Sequence, residues 1–190
     1  LFAGGGIASY ETTFANAYDT SLTRTIPTQL SQKRGNLASA LAGEYALFAG
    51  GNSQSGGIGS VNTVDAYNAS LTRSTITPIS KNLRNMSGAS VGRYGLFAGG
   101  YTTNLETNND GVDAYDDSLT RKSAPVLSAA RSYFAGVSLG GFAVFGGGSI
   151  YENSFEQSSD LVDTYDESLT HLIAAGLSQP RSYLAAAIVG

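Results

Sequence analysis

The chain repeats itself four times at intervals of close to 48 residues, and that repetition limits its fold more than any single motif. Leu1-Phe-Ala-Gly-Gly5, Leu47-Phe-Ala-Gly-Gly51, Leu96-Phe-Ala-Gly-Gly100 and Val144-Phe-Gly-Gly-Gly148 place phenylalanines at 2, 48, 97 and 145, so the steps are 46, 49 and 48. Tyrosines at 18, 67, 115 and 165 keep the same step, and each leads into Ser-Leu-Thr-Arg or, in the last unit, Ser168-Leu-Thr-His171. Arg34, Arg84, Arg131 and Arg181 each follow a Leu-Ser or Ile-Ser pair and open a run of small residues. A unit of this length cannot bury a hydrophobic face alone. Stacked neighbours must supply a shared core, as in solenoids and propellers.

Each unit reads as four short strands. The first is small-residue sequence: 39–42, 87–91, 134–139 and 184–189. Ala, Gly and Ser allow the backbones of innermost strands to converge. Gly43-Glu44, Gly92-Arg93 and Gly140-Gly141 follow as two-residue hairpin turns, for which Gly in the first position predicts type II′. The second strand ends in the Gly-Gly pair, where the chain must bend out of the sheet. The third carries Val-Asp-x-Tyr with period-two alternation, and a polar outer strand passes through Thr-Arg.

With its Gly-Gly pair after an aromatic second strand, its Val-Asp-x-Tyr element and its unit-opening arginine, the chain resembles the kelch-repeat β-propeller family over nearly its whole length, and the period matches kelch blades. The tryptophan that kelch repeats usually carry after the tyrosine is replaced by Leu22, Leu71, Leu119 and Leu169. The resemblance implies an all-β fold of four blades, each of four antiparallel strands, with recognition by loops at the ends of the axis. The expected single domain has blades at about 1–31 plus 182–190, 32–80, 81–128 and 129–181. Its last small-residue strand would complete the first blade. The alternative is an excerpt of a longer array, with self-association if the four units are part of a larger ring.

Composition narrows the function. A net charge of −4 with no basic run argues against nucleic acid, which is bound by neutralising phosphates. No apolar run approaches the roughly 20 residues of a membrane span. The absence of cysteine rules out disulfides and thiolate metal sites without fixing a compartment, and similarity to repeat arrays of bacterial and phage surface proteins points weakly to an extracellular or virion surface. Most polar residues recur once per unit, whereas catalysis needs unlike groups gathered together. Asp65, Asp113 and Asp163, with Asn16 in the equivalent place, read as turn and inter-blade hydrogen-bonding groups rather than metal ligands. The repeated arginines read as inter-blade anchors, and His171 as an outer-strand substitution for arginine. The expectation is therefore a non-enzyme with no cofactor and no metal. The only polar candidates for an axial site are Ser39, Ser87, Ser90 and Ser138.

Variation is concentrated after each Gly-Gly pair, at 6–15, 52–60, 101–110 and 149–160. Variable loops on a fixed scaffold usually carry binding. Their Tyr10, Phe14, Tyr101, Asn104, Asn108, Asn109, Tyr151, Asn153 and Phe155 combine aromatic area with adaptable hydrogen bonding, as recognition loops do. The expected partner is a protein or glycan. A structural segment of a larger surface or fibre protein is the alternative, and an enzyme with an axial site the third reading.

Overall fold

The computed structural model describes residues 1–189 apart from 8–9, 54–58, 104–106 and 153–154, with the backbone alone given for Ile7 and Glu152. Among the described residues there is no helix. The repeat becomes a series of four antiparallel sheets. Three have four strands, which run in chain order from an inner strand to an outer one. The second sheet comprises Ala38–Ala42, Tyr45–Ala49, Val64–Tyr67 and Arg73–Ile76. The third comprises Ser87–Val91, Tyr94–Ala98, Val112–Tyr115 and Arg121–Ala124, and the fourth Ala135–Leu139, Phe142–Gly146, Val162–Asp166 and His171–Ala174. The first sheet has only Phe2–Ala3, Ala15–Tyr18 and Arg24–Thr25.

The expected closure by the last small-residue segment is not present. Among the described residues, 184–189 form no strand, Phe2–Ala3 has no inner neighbour, and the sheets do not close. The first sheet therefore leaves its aromatic pair in solvent. Phe2 and Tyr18 make the same edge-to-face contact as Phe48 with Tyr67, Phe97 with Tyr115 and Phe145 with Tyr165, at 5.8–6.1 Å between ring centres. Yet Phe2 is 69% exposed, whereas its three counterparts are buried.

The inner strands lie close enough that side chains would collide, which is what their composition predicts. A Cβ on Gly88 would come within 2.1 Å of the Ser39 carbonyl oxygen, and one on Gly136 within 2.7 Å of that of Gly88. Hydrogen bonds then cross between sheets: Leu41 N–H donates to Ser90 Oγ at 2.7 Å and Ser90 N–H to Ser138 Oγ at 2.8 Å. A second series joins the sheets at the residues just before the inner strands. Asn85 N–H donates to Asn36 C=O, Tyr133 to Asn85 and Tyr183 to Tyr133, at 2.9–3.1 Å, and all four residues have positive φ.

Three details differ from the sequence reading. Val64–Tyr67 and Val112–Tyr115 are buried on both faces rather than alternating, because a sheet packs on each side. Gly43 and Gly92 have positive φ at the first turn position only, as type II′ requires, whereas Gly140 and Gly141 are both positive, the pattern of type I′. The arginine register is also not uniform. Arg34 and Arg131 lie three residues after Ser31 and Ser128, but the residue three after Ser80 is Leu83, and Arg84 is one position late.

That register matters because each third-strand aspartate clamps the connection leading into its own sheet. Asp65 accepts from Ser31 N–H and Oγ at 3.1 and 3.0 Å and pairs with fully buried Arg34 at 2.7 Å. Arg34 also donates to the carbonyls of Phe48, Gly50 and Thr63. Asp163 repeats the arrangement with Ser128 and Arg131. Burial would raise these carboxyls, but the guanidinium and serine donors outweigh it and hold both below the ordinary aspartate range. In the third sheet Asp113 keeps Ser80 N–H and Oγ at 2.9 and 2.8 Å, and Leu83 fills the arginine's place among core side chains. The tyrosine two residues on adds a further tie: Tyr67, Tyr115 and Tyr165 donate to the carbonyls of Thr28, Thr77 and Pro125 in the preceding unit at 2.8–2.9 Å.

The close inner packing predicts that Gly88→Ala, which forces a Cβ onto fixed backbone, lowers stability by about 1–3 kcal/mol or more. Gly59→Ala, with open space around its Cβ and no positive φ, should leave the urea midpoint unchanged. A second prediction concerns the turn after each third strand. Asp116 Oδ1 accepts from Ser118 Oγ at 2.6 Å, Thr120 N–H at 3.0 Å and Ser118 N–H at 3.1 Å. The Ser118 hydroxyl is the main cause, working against burial, of a carboxyl held down to about 2. A folded value below the unfolded one contributes stability that is complete above about pH 4 and disappears as pH falls toward 2. Asp116→Asn should therefore flatten the fall in melting temperature between pH 5 and 3, while Asn68→Asp, in the equivalent turn of the second sheet, should steepen it.

Candidate functional site

The segments after the Gly-Gly pairs are not irregular loops. They fold as two-stranded ribbons: Gly6–Ile7 with Tyr10–Glu11, Asn52–Ser53 with Gly59–Ser60, Tyr101–Thr102 with Thr107–Asn108, and Ser149–Glu152 with Phe155–Ser158. In the last ribbon Tyr151 pairs with Glu156. Three of the ribbons are bonded to the inner-strand entry of their own unit: Asn52 bridges to Gly35, Tyr101 to Arg84 and Ser149 to Ser132. Asn108 of the third unit bonds to Ser132 and Ser149 of the fourth, which brings side chains of the two units together beside Tyr183.

The result is a cleft of about 210 Å³. Its floor is Asn108, whose Nδ2 donates to Ser149 C=O at 2.8 Å and whose Oδ1 accepts from Ser132 Oγ at 2.9 Å. Ser132 and Ser149 are both buried, so these bonds are made away from water and fix the third ribbon against the bend of the fourth. One wall is Tyr101 with the Arg84 guanidinium 5.3 Å above its ring centre. The other is Tyr133 and Tyr183, whose ring centres lie 4.2 Å apart with a tilt of 31°, and Tyr151 and Glu156 complete the lining. Tyr183 is largely exposed, and slight desolvation, followed by the neighbouring Tyr133 and Glu156, pushes its phenol above the ordinary value. The Arg84 guanidinium forms no hydrogen bond or ion pair with a described residue.

Of the residues expected to bind, Tyr101, Asn108 and Tyr151 meet in this cleft. Tyr10, Phe14 and Phe155 are exposed, the first two on the far unit, and do not join it. Asn109 is buried, where it accepts from Lys81 Nζ at 2.8 Å and packs against Gly111, so its amide serves the fold. Asn104 and Asn153 lie outside the described residues. Arg84, Ser132, Tyr133, Ser149, Glu156 and Tyr183 join the cleft from outside that set. One sequence signal does mark two of them: the position occupied by Asn36 and Asn85 in the earlier units becomes Tyr133 and Tyr183 in the later ones.

A larger hollow of about 350 Å³ lies along the inner strands, between Ser39, Ser90, Ser138 and apolar neighbours. Its lining has no titratable side chain, and the hydroxyls of Ser90 and Ser138 already accept backbone N–H bonds. His171 takes the role of Arg73 on its own sheet. Its Nε2 lies 2.6 Å from Asp163 Oδ1, as Arg73 lies 3.0 Å from Asp65 Oδ1, and its ring stacks on Tyr165.

No family model matches the chain, and no curated protein matches it in sequence. Solved structures do share its fold. The structure of YjhT superposes with a TM-score of 0.73 over 95% of this chain, at 16% sequence identity. The chain spans 66% of the length of that protein. At such low identity the likeness concerns the fold alone.

Proposed function

We propose that the chain is a kelch-like β-propeller segment acting as a non-catalytic recognition module, which binds a protein or glycan through the ribbons that follow its Gly-Gly pairs. The observation that carries the reading is the tyrosine cleft. Its aromatic walls come from two ribbons, at Tyr101 and Tyr151, and from the inner-strand entries, at Tyr133 and Tyr183, over a floor fixed by the Asn108 bonds. A rigid frame presenting tyrosine, asparagine and serine is the composition of a binding surface, since tyrosine gives large contact area at little entropic cost. The scaffold's own acids and bases are occupied structurally, as Asp65, Asp163 and His171 illustrate.

The test is a parallel selection of peptides from a display library and of glycans on an array, with the 190-residue chain and its Tyr101→Ala/Tyr151→Ala double variant. At least one binder of the wild type should lose affinity by about tenfold or more in the variant, or roughly 1.4 kcal/mol. The two melting temperatures should agree. Binders that ignore the double substitution, or no binder at all, would remove the reading.

A second reading, as an assembly segment, has its own support. The two ends of the sheet series expose residues whose counterparts inside it are buried: Phe2 and Tyr18 on one side, Arg181 on the other. Arg34 and Arg131 are fully buried while Arg181 is exposed, because no described sheet follows it. Unpaired edges of this kind promote pairing with further strands. Light scattering across a concentration series checks it. Mass that grows with concentration in the wild type and stays at one chain in Phe2→Lys is the expected result for an assembly segment, and a wild-type monomer throughout would exclude it for the isolated chain.

A further inference from the structure

We propose that the tyrosine cleft binds a single neutral saccharide ring; this rests on the recognition reading above and specifies its ligand. Size comes first. At about 210 Å³ the cleft is smaller than the roughly 300–1,000 Å³ of pockets that enclose drug-sized ligands, so it accommodates one ring rather than a folded peptide turn or an oligomer. Shape agrees with that. Tyr133 and Tyr183 lie ring against ring with a tilt of 31°, and Tyr101 is covered on one face by Arg84, so the cleft is bordered by flat aromatic surface. Such surface suits the C–H face of a pyranose, which is apolar although the ring's edge is covered with hydroxyls.

Charge decides between ligand classes. The cleft contains one guanidinium, Arg84, and one carboxylate, Glu156. A phosphate or carboxylate ligand would gain from the first and be repelled by the second, while an amine would meet the reverse. A polyhydroxy ligand uses both, because a hydroxyl can accept from the guanidinium and donate to the carboxylate. Both groups are planar and present two parallel hydrogen-bonding atoms, which matches two adjacent hydroxyls on a sugar edge. The Tyr183 phenol adds a neutral donor and acceptor at the same wall. Because Asn108, Ser132 and Ser149 satisfy one another beneath, no reorganisation of the floor is needed on binding.

The chain has eleven tyrosines and no tryptophan, so tyrosine emission reports directly on such a site. The experiment titrates the folded chain with methyl glycosides of neutral hexoses and N-acetylhexosamines, following tyrosine fluorescence and saturation-transfer NMR. Methyl hexuronate and a free hexosamine serve as the anionic and cationic analogues. At least one neutral glycoside should bind, about tenfold or more tighter than its charged analogues. Tyr183→Ala, Arg84→Gln and Glu156→Gln should each weaken it by about tenfold, at unchanged melting temperature. Ile173→Ala, an exposed outer-strand change away from the cleft, should have no effect. Tighter binding of the hexuronate or the amine would overturn the charge argument, and binding indifferent to Tyr183→Ala would overturn the location. If all glycosides are silent while display-selected peptides bind the wild type but not Tyr183→Ala, the saccharide assignment falls and recognition by the cleft stands. If both are silent, both fall.

Discussion

The structure depends first on the third-strand aspartate. One carboxylate receives the amide and hydroxyl of a serine and the guanidinium three residues further on, and through them it holds the connection that leads into its sheet. The burial is complete at Asp65 and Asp163, so each pair is a charged group in a medium where an unpaired ion costs several kcal/mol. Its value therefore lies less in net stabilisation than in excluding alternatives. A connection that slipped by one residue would leave a carboxylate in the core without its donors. The third sheet shows the rule from the other side. With Leu83 in the arginine's place, Asp113 retains only the serine donors and a distant Arg121, and it is slightly more exposed than its counterparts.

Two further series act along the array rather than within a unit. The positive-φ residues Asn36, Asn85, Tyr133 and Tyr183 pass one backbone hydrogen bond from each unit to the next, and the glycines of the inner strands let neighbouring sheets approach to within backbone contact. Neither series can be satisfied by one unit alone. Stability is thus shared between neighbours, as in other repeat proteins. The consequence is visible at the first sheet, where an aromatic pair of the same geometry as the others has nothing to bury against.

Much of this was legible because the repeat reports each constraint several times. Small residues marked the inner strands, and the steric limit at Gly88 is the reason for them. Val-Asp-x-Tyr marked the third strand, although burial on both faces hid the alternation that a half-exposed strand would show. Other features left no trace that single residues could reveal. Leu22, Leu71, Leu119 and Leu169 all adopt φ near +60°, a region leucine rarely enters, because the preceding Asp or Asn ties the turn through its side chain and its carbonyl accepts the leucine amide. The arginine register failed at Arg84 for a different reason. An arginine one position late looks equivalent in sequence, yet the side chain points to a ribbon and a tyrosine rather than into the core. Closure does not follow from sequence phase, which fixes the order of strands but says nothing of how sharply neighbouring sheets turn.

The same displacement of Arg84 connects scaffold to site. Once Leu83 takes the buried position, the guanidinium no longer has an aspartate to serve, and it lies over Tyr101 at the edge of the cleft. The substitution of Asn36 and Asn85 by Tyr133 and Tyr183 works in the same direction, since it places rings where the earlier units have short amides, without disturbing the backbone bonds that those positions make. An array of near-identical units has no reason to concentrate aromatic and charged groups at one point unless individual units depart from the pattern. Here the departures in the third and fourth units converge, while the buried clamp of the fourth stays intact. That convergence separates a candidate site from the rest of a surface that the repeat makes uniform.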